Sequence, residues 1–84
     1  MMTGGFAEYP NGAIKVENVT VSLAEDGEYE VGCAIVFYSD NGITEVKRDQ
    51  RNWRTNTNPG TEIAIAEICE QNLLLLPEYE HMSR

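Results

Sequence analysis

Residues 28–38, EYEVGCAIVFY, limit the fold more than any other stretch of the chain. Tyr29, Val31, Cys33, Ile35 and Phe37 alternate with Glu28, Glu30, Gly32, Ala34, Val36 and Tyr38. A period of two places each set on its own face of a β-strand. The odd set is apolar throughout, while the even set begins charged and ends apolar. Ala24-Glu25-Asp26-Gly27 precedes the strand and Ser39-Asp40-Asn41-Gly42 follows it. Asp-Gly and Asn-Gly are the dipeptides of tight hairpins. Tight turns on both sides make the neighbours antiparallel, because a parallel pair needs a crossover of a dozen or more residues.

Residues 13–23, AIKVENVTVSL, supply the strand before it, rich in β-branched side chains. Ile14 and Val16 share one parity, and Val19, Val21 and Leu23 share the other. A strand changes face only through an extra residue, which predicts a bulge or break near Glu17 and Asn18. Residues 43–48, ITEVKR, read as the strand after it. Gln50 to Thr57 reads as a short fourth strand rather than a loop, on the strength of Trp53 and its threonines.

One helix is expected, at about residues 60–76. Ile65, Ile68, Cys69, Asn72, Leu73 and Leu76 fall at helical spacing, with Glu62, Glu67, Glu70 and Gln71 mostly off that stripe. Either Asn58 with Pro59 or Thr61 with Glu62 caps its start, and Pro77 ends it. The fold class is therefore α+β: a three- or four-stranded antiparallel meander with one C-terminal helix packed on one face. Eighty-four residues make one domain, read as an N-terminal arm at 1–12, a core domain at 13–77 and a polar tail at 78–84. The expected core is Val19, Val21, Leu23, Tyr29, Val31, Cys33, Ile35, Phe37, Ile65, Ile68, Cys69 and Leu73. Val36 and Tyr38 are left on the opposite face, to be covered by the arm or to form a dimer surface.

The chemistry-bearing residues are sparse. His81 is the only histidine and lies near the chain end, where segments are usually mobile. Glu28 and Glu30 share a strand face and have the look of a paired acid and base, but charged strand residues are mostly solvated. Cys33 and Cys69 both lie on apolar faces. They read first as reduced core residues, second as a disulfide if the protein is exported, and last as metal ligands, for which two thiols are too few. Gly4-Gly5 and Asn58-Pro59-Gly60 lack the spacing and lysine of a phosphate loop. The reading is thus non-enzymatic, with no cofactor and no metal.

Charge is the feature that bears most on function. Fourteen Asp and Glu against six Lys and Arg give a net charge of -8 and a pI near 4.4. That disfavours free nucleic acid, whose phosphates need a basic face. Lys47, Arg48, Arg51 and Arg54 form a basic strip around Trp53, broken only by Asp49. The other acids face only Lys15 and Arg84. The strip reads as internal balance for hairpin and helix acids, or as a contact patch, since Trp and Arg are enriched at binding hot spots.

No apolar run approaches a membrane span, and MMTGGFAEYP has no basic start or apolar centre of a secretory signal. The expectation is a cytoplasmic protein that binds another macromolecule, as an inhibitor or adaptor docking on a basic protein surface. Phage-borne inhibitors of host defence share this size and charge, though not any motif. The contact residues expected are Glu25, Asp26, Glu28 and Glu30 on the first hairpin, Glu67 and Glu70 on the helix, and Arg51, Trp53 and Arg54 on the strip. The alternative is a structural or assembly component, homodimeric or larger through a sheet edge.

Overall fold

The computed structural model describes residues 1–40 and 42–84; Asn41 of the second turn lies outside them. Strand β1 is Met2–Thr3, β2 is Ala13–Leu23, β3 is Tyr29–Tyr38, β4 is Glu45–Thr55, and helix α1 is Glu62–Leu74. The four strands form one antiparallel sheet in the order β1-β2-β3-β4, a meander with the helix on one face.

The alternation of β3 sets its odd residues inward. Val31, Cys33, Ile35 and Phe37 join Ile65, Cys69 and Leu73 of α1 in the core. The phase slip of β2 is a bulge: the register shifts between Glu17 and Thr20, and Asn18 takes a φ of 50°. Thr61 caps the helix, its Oγ1 accepting from the Ala64 N–H at 3.1 Å. Asn58 instead closes an Asx turn by accepting from the Gly60 N–H at 3.0 Å.

The third and fourth strands expected from the sequence are one. β4 runs unbroken through Asp49 and pairs with β3 from Tyr29↔Thr55 to Phe37↔Lys47. Its polar sequence hides it because only Arg51, Trp53 and Thr55 turn half-buried sides to the core. The remaining strand comes from the arm, where Met2 pairs with Ile14 and is fully buried.

Both chain ends pack into the core. Phe6, Tyr79 and Met82 are buried, at 6%, 8% and 5% exposure. The Thr3 N–H donates to the Ser83 carbonyl at 2.8 Å, and the Ser83 N–H returns the bond at 3.0 Å. His81 Nε2 lies 2.7 Å from the Gly5 carbonyl oxygen. Residues 78–84 are therefore not a free polar tail.

The expected core was wrong at one end of the sheet. Val21 is 39% exposed and Leu23 67% exposed. The cause is length: a helix of 13 residues spans about 20 Å, while a 10-residue strand runs about 33 Å. The arm and C-terminal segment cover the Phe37 end, and the Leu23 end stays open.

Val36 is fully buried on the opposite face within the single chain, so no partner is needed to cover it. Lys15 and Arg48 flank it across the sheet, and Arg48 of β4 reaches Glu17 of β2 at 3.6 Å, bridging over β3.

Cys33 and Cys69 are free and fully buried. Hydrogen bonding between the two thiols, reinforced by burial, pushes Cys33 up from the ordinary thiol range. Neither thiol is expected to react with a thiol reagent in the native protein, and both are expected to react in denaturant. Modification of either before unfolding would contradict this packing.

Candidate protein-contact surface

The open end of the sheet gathers most of the residues singled out from the sequence. Trp53 lies beside Val31 in register, and Leu23 pairs with Tyr29, so all lie at this end of β2–β4. Ile63, 76% exposed, stands on the first turn of α1. It shares a shallow surface groove with Val19 and Asn18 at the bulge. Leu23 and Val21 are thus exposed apolar side chains at the free end of the sheet, with Ile63 exposed further back, beside the bulge of β2.

The turn joining β2 to β3 carries Glu25, Asp26 and Glu28 just beyond Leu23. Asp26 is fixed. It accepts from the Glu28 N–H at 3.1 Å and from Arg54 Nη1 at 2.7 Å. The Glu28 amide, then the Arg54 guanidinium, hold its carboxyl below the usual range. Arg54 Nε also lies 3.8 Å from Glu30, across β3 from β4. Glu25 and Glu28 have no cation within 4.0 Å among the described residues. The hairpin therefore presents carboxylates that its own arginine does not neutralise.

The basic strip is mostly balanced within the fold. Arg48 forms a two-point contact with Glu45, its Nε and Nη2 donating at 2.9 Å and 3.0 Å. This pairing lowers the Glu45 pKa and raises that of Arg48. Arg51 pairs with Asp49 at 3.6 Å, and Arg54 with the hairpin. Lys47 differs: among the described residues no carboxylate reaches its ammonium, which lies 4.6 Å from the Phe37 ring centroid.

The two helix acids separate. Glu67 is exposed. Glu70 is only 14% exposed at its side chain and faces the N-terminal ammonium at 3.7 Å and Arg84 at 3.5 Å. It holds the chain ends to the helix, and sequence alone did not separate that role from a partner contact. Arg51 lies mid-strand opposite Cys33, next to Trp53 on the same face of β4, and is paired with Asp49.

Sequence reasoning also missed an aromatic cleft. Phe6, Tyr9, Tyr79 and Lys47 line it with Glu8 and Glu78. Its walls come from segments read as arm and tail, so no periodicity marked them. The Tyr79 hydroxyl is pushed up from its ordinary range by burial and then by the Glu78 charge.

Among the described residues, no three His, Cys, Asp or Glu side chains converge as metal ligands. No helix there is long and apolar enough to cross a membrane. Comparison with protein-family models, with curated proteins and with solved structures gave no match.

Proposed function

We propose that the chain is a non-enzymatic binding protein, an inhibitor or adaptor that docks on a basic surface of another protein through the open end of its sheet. The observation that carries this reading is Leu23, 67% exposed, standing next to the acidic turn. Apolar side chains beside unneutralised charge suit an interface with an apolar centre and a polar rim. Trp53, half-buried at the same end, is the anchor, because large aromatic residues dominate interface energies. Glu25 and Glu28 supply the rim, and Glu30 with Arg54 its fixed part. A chain of net charge -8 steers toward a cationic partner and away from bare DNA or RNA.

The non-enzymatic part rests on the reactive groups. The one histidine is engaged with the Gly5 carbonyl, both thiols are buried, and the hairpin carboxylates lie in solvent rather than in a cleft.

The test is capture of the partner from extract of the native host, followed by binding kinetics with the purified partner. Trp53→Ala is expected to raise the dissociation rate by about tenfold or more, as loss of an anchor does. An unchanged dissociation rate would remove the open end from the interface.

The free edge of β4 favours a second reading, assembly into a homo-oligomer. This strand of 11 residues has no neighbour on its outer side among the described residues. Unpaired edges template further strands, although charged residues such as Lys47 and Arg48 blunt them. Mass in solution separates the readings: a monomer supports the first, a stable dimer or ring the second.

A further inference from the structure

The opposite end of the molecule holds a site of different chemistry. The cleft lined by Phe6, Tyr9, Tyr79, Glu8, Glu78 and Lys47 has a volume of about 490 Å³, within the range of sites for small ligands. Its rings are fixed relative to one another. Phe6 meets Phe37 edge-on at 5.2 Å, Tyr9 lies 5.5 Å from Phe6, and Tyr79 lies 6.2 Å from Phe37.

The wall bearing Phe6 and Tyr9 is a tight turn. The Phe6 N–H donates to the Tyr9 carbonyl at 3.0 Å, and the Tyr9 N–H returns the bond at 2.8 Å. Between them Ala7 holds a φ of 44°, a conformation that non-glycine residues rarely adopt. Tyr79 is held by its own turn, its N–H donating to the Leu76 carbonyl at 3.0 Å.

Lys47 lines the cleft as well, and stacks on Phe37, the buried ring that packs behind Phe6 and Tyr79. Its ammonium lies 4.6 Å from the Phe37 centroid with no carboxylate within ion-pair distance among the described residues. An aromatic face draws cations, and alkylated ammonium groups best suit such walls because they need no hydrogen-bond acceptors. Two carboxylates line the cleft against one lysine, in a chain of net charge -8. The local field therefore disfavours an anion.

We propose that this cleft binds an alkylated ammonium group, with Phe6, Tyr9 and Tyr79 as its walls and Glu8 and Glu78 as counter-charges. Lys47 is its internal competitor, swinging out when the ligand enters. The group is either a methylated lysine side chain of a protein or a free quaternary amine. The site stands apart from the open end of the sheet, and its occupancy is independent of docking there.

The test is an NMR titration of the full chain at constant ionic strength. The probes are tetramethylammonium, a short peptide carrying trimethyllysine, and benzoate as the anionic control. The expected result is saturable shifts at Phe6, Tyr9 and Tyr79 with the cations, in the millimolar range for the free ion. Lys47→Met is expected to tighten cation binding by about two- to fivefold, and Glu78→Gln to weaken it by a similar factor. Both variants alter exposed residues, and an unchanged melting temperature verifies their fold. Tighter binding of the peptide than of the free ion assigns the ligand to a protein; equal binding assigns it to a small amine. No saturable shift with either cation, preference for benzoate, or loss of binding in Lys47→Met would overturn the proposal.

Discussion

Deleting residues 78–84 is expected to remove most of the domain's stability. The segment buries Tyr79 and Met82 at 8% and 5% exposure. Full burial of a large apolar side chain contributes about 1.5–3 kcal/mol. The deletion also leaves the Thr3 backbone without its Ser83 partner, and Glu70 without Arg84. Phe37, against which the Tyr79 ring packs, would then meet water. The sum is about 4–6 kcal/mol, a large share of the 5–15 kcal/mol that holds a typical domain. Urea denaturation measures it: the shortened chain should be unfolded or nearly so without denaturant. A loss below about 1 kcal/mol would mean that the tail does not pack as described.

Replacing Leu73 by Asp is expected to unfold the chain as well. Leu73 is fully buried in the cluster with Phe37 and Met2, and no cation lies in that cluster. Losing the side chain alone costs about 2–5 kcal/mol, and an unpaired buried carboxylate adds to it. Glu67→Lys, on the exposed side of the same helix, should stay within about 0.5 kcal/mol. Circular dichroism with thermal melting decides between them. If the two substitutions prove equally damaging, the helix faces the sheet in a different phase.

The fold was legible where local pattern and burial agree. The alternation of β3, the Asp-Gly turn, the slip at Glu17–Asn18 and the Ile65–Cys69–Leu73 spacing each carry a period or a turn signal. What was not legible depends on tertiary neighbours. β4 looked like two pieces because its pairing with β3 holds a mostly polar sequence in strand form. Met2, Phe6, Tyr79 and Met82 are isolated apolar residues in polar surroundings, with no repeat to mark them as core. Val21 and Leu23 have the right alternation and still face solvent, because α1 is shorter than the sheet it covers.

The candidate contact residues divided in the same way. The hairpin acids were visible as a charge cluster, and the structure keeps them together beside Leu23. Glu70 has the same sequence signature as Glu67, yet the two chain termini converge on it. Only the closure of residues 1–12 and 78–84 onto the helix distinguishes them, and that closure joins residues far apart in sequence. The cationic strip was likewise ambiguous until Arg48, Arg51 and Arg54 were found paired within the sheet, leaving Lys47 to the aromatic ring.

The claim that the open, acidic end of the sheet docks on a basic protein is tested most directly by one rate. That rate is the association rate with the captured partner, followed against salt for the natural chain and for a Glu28→Lys, Glu30→Lys variant. Exposed charges steer encounter over a screening length of roughly 10 Å at 0.1 M salt. The natural chain should therefore associate more slowly as salt rises. The variant should associate at least about tenfold more slowly at low salt and lose most of that dependence. Equal association rates for the two proteins at low salt would contradict the account, and would leave the acidic hairpin as a means of keeping the chain soluble.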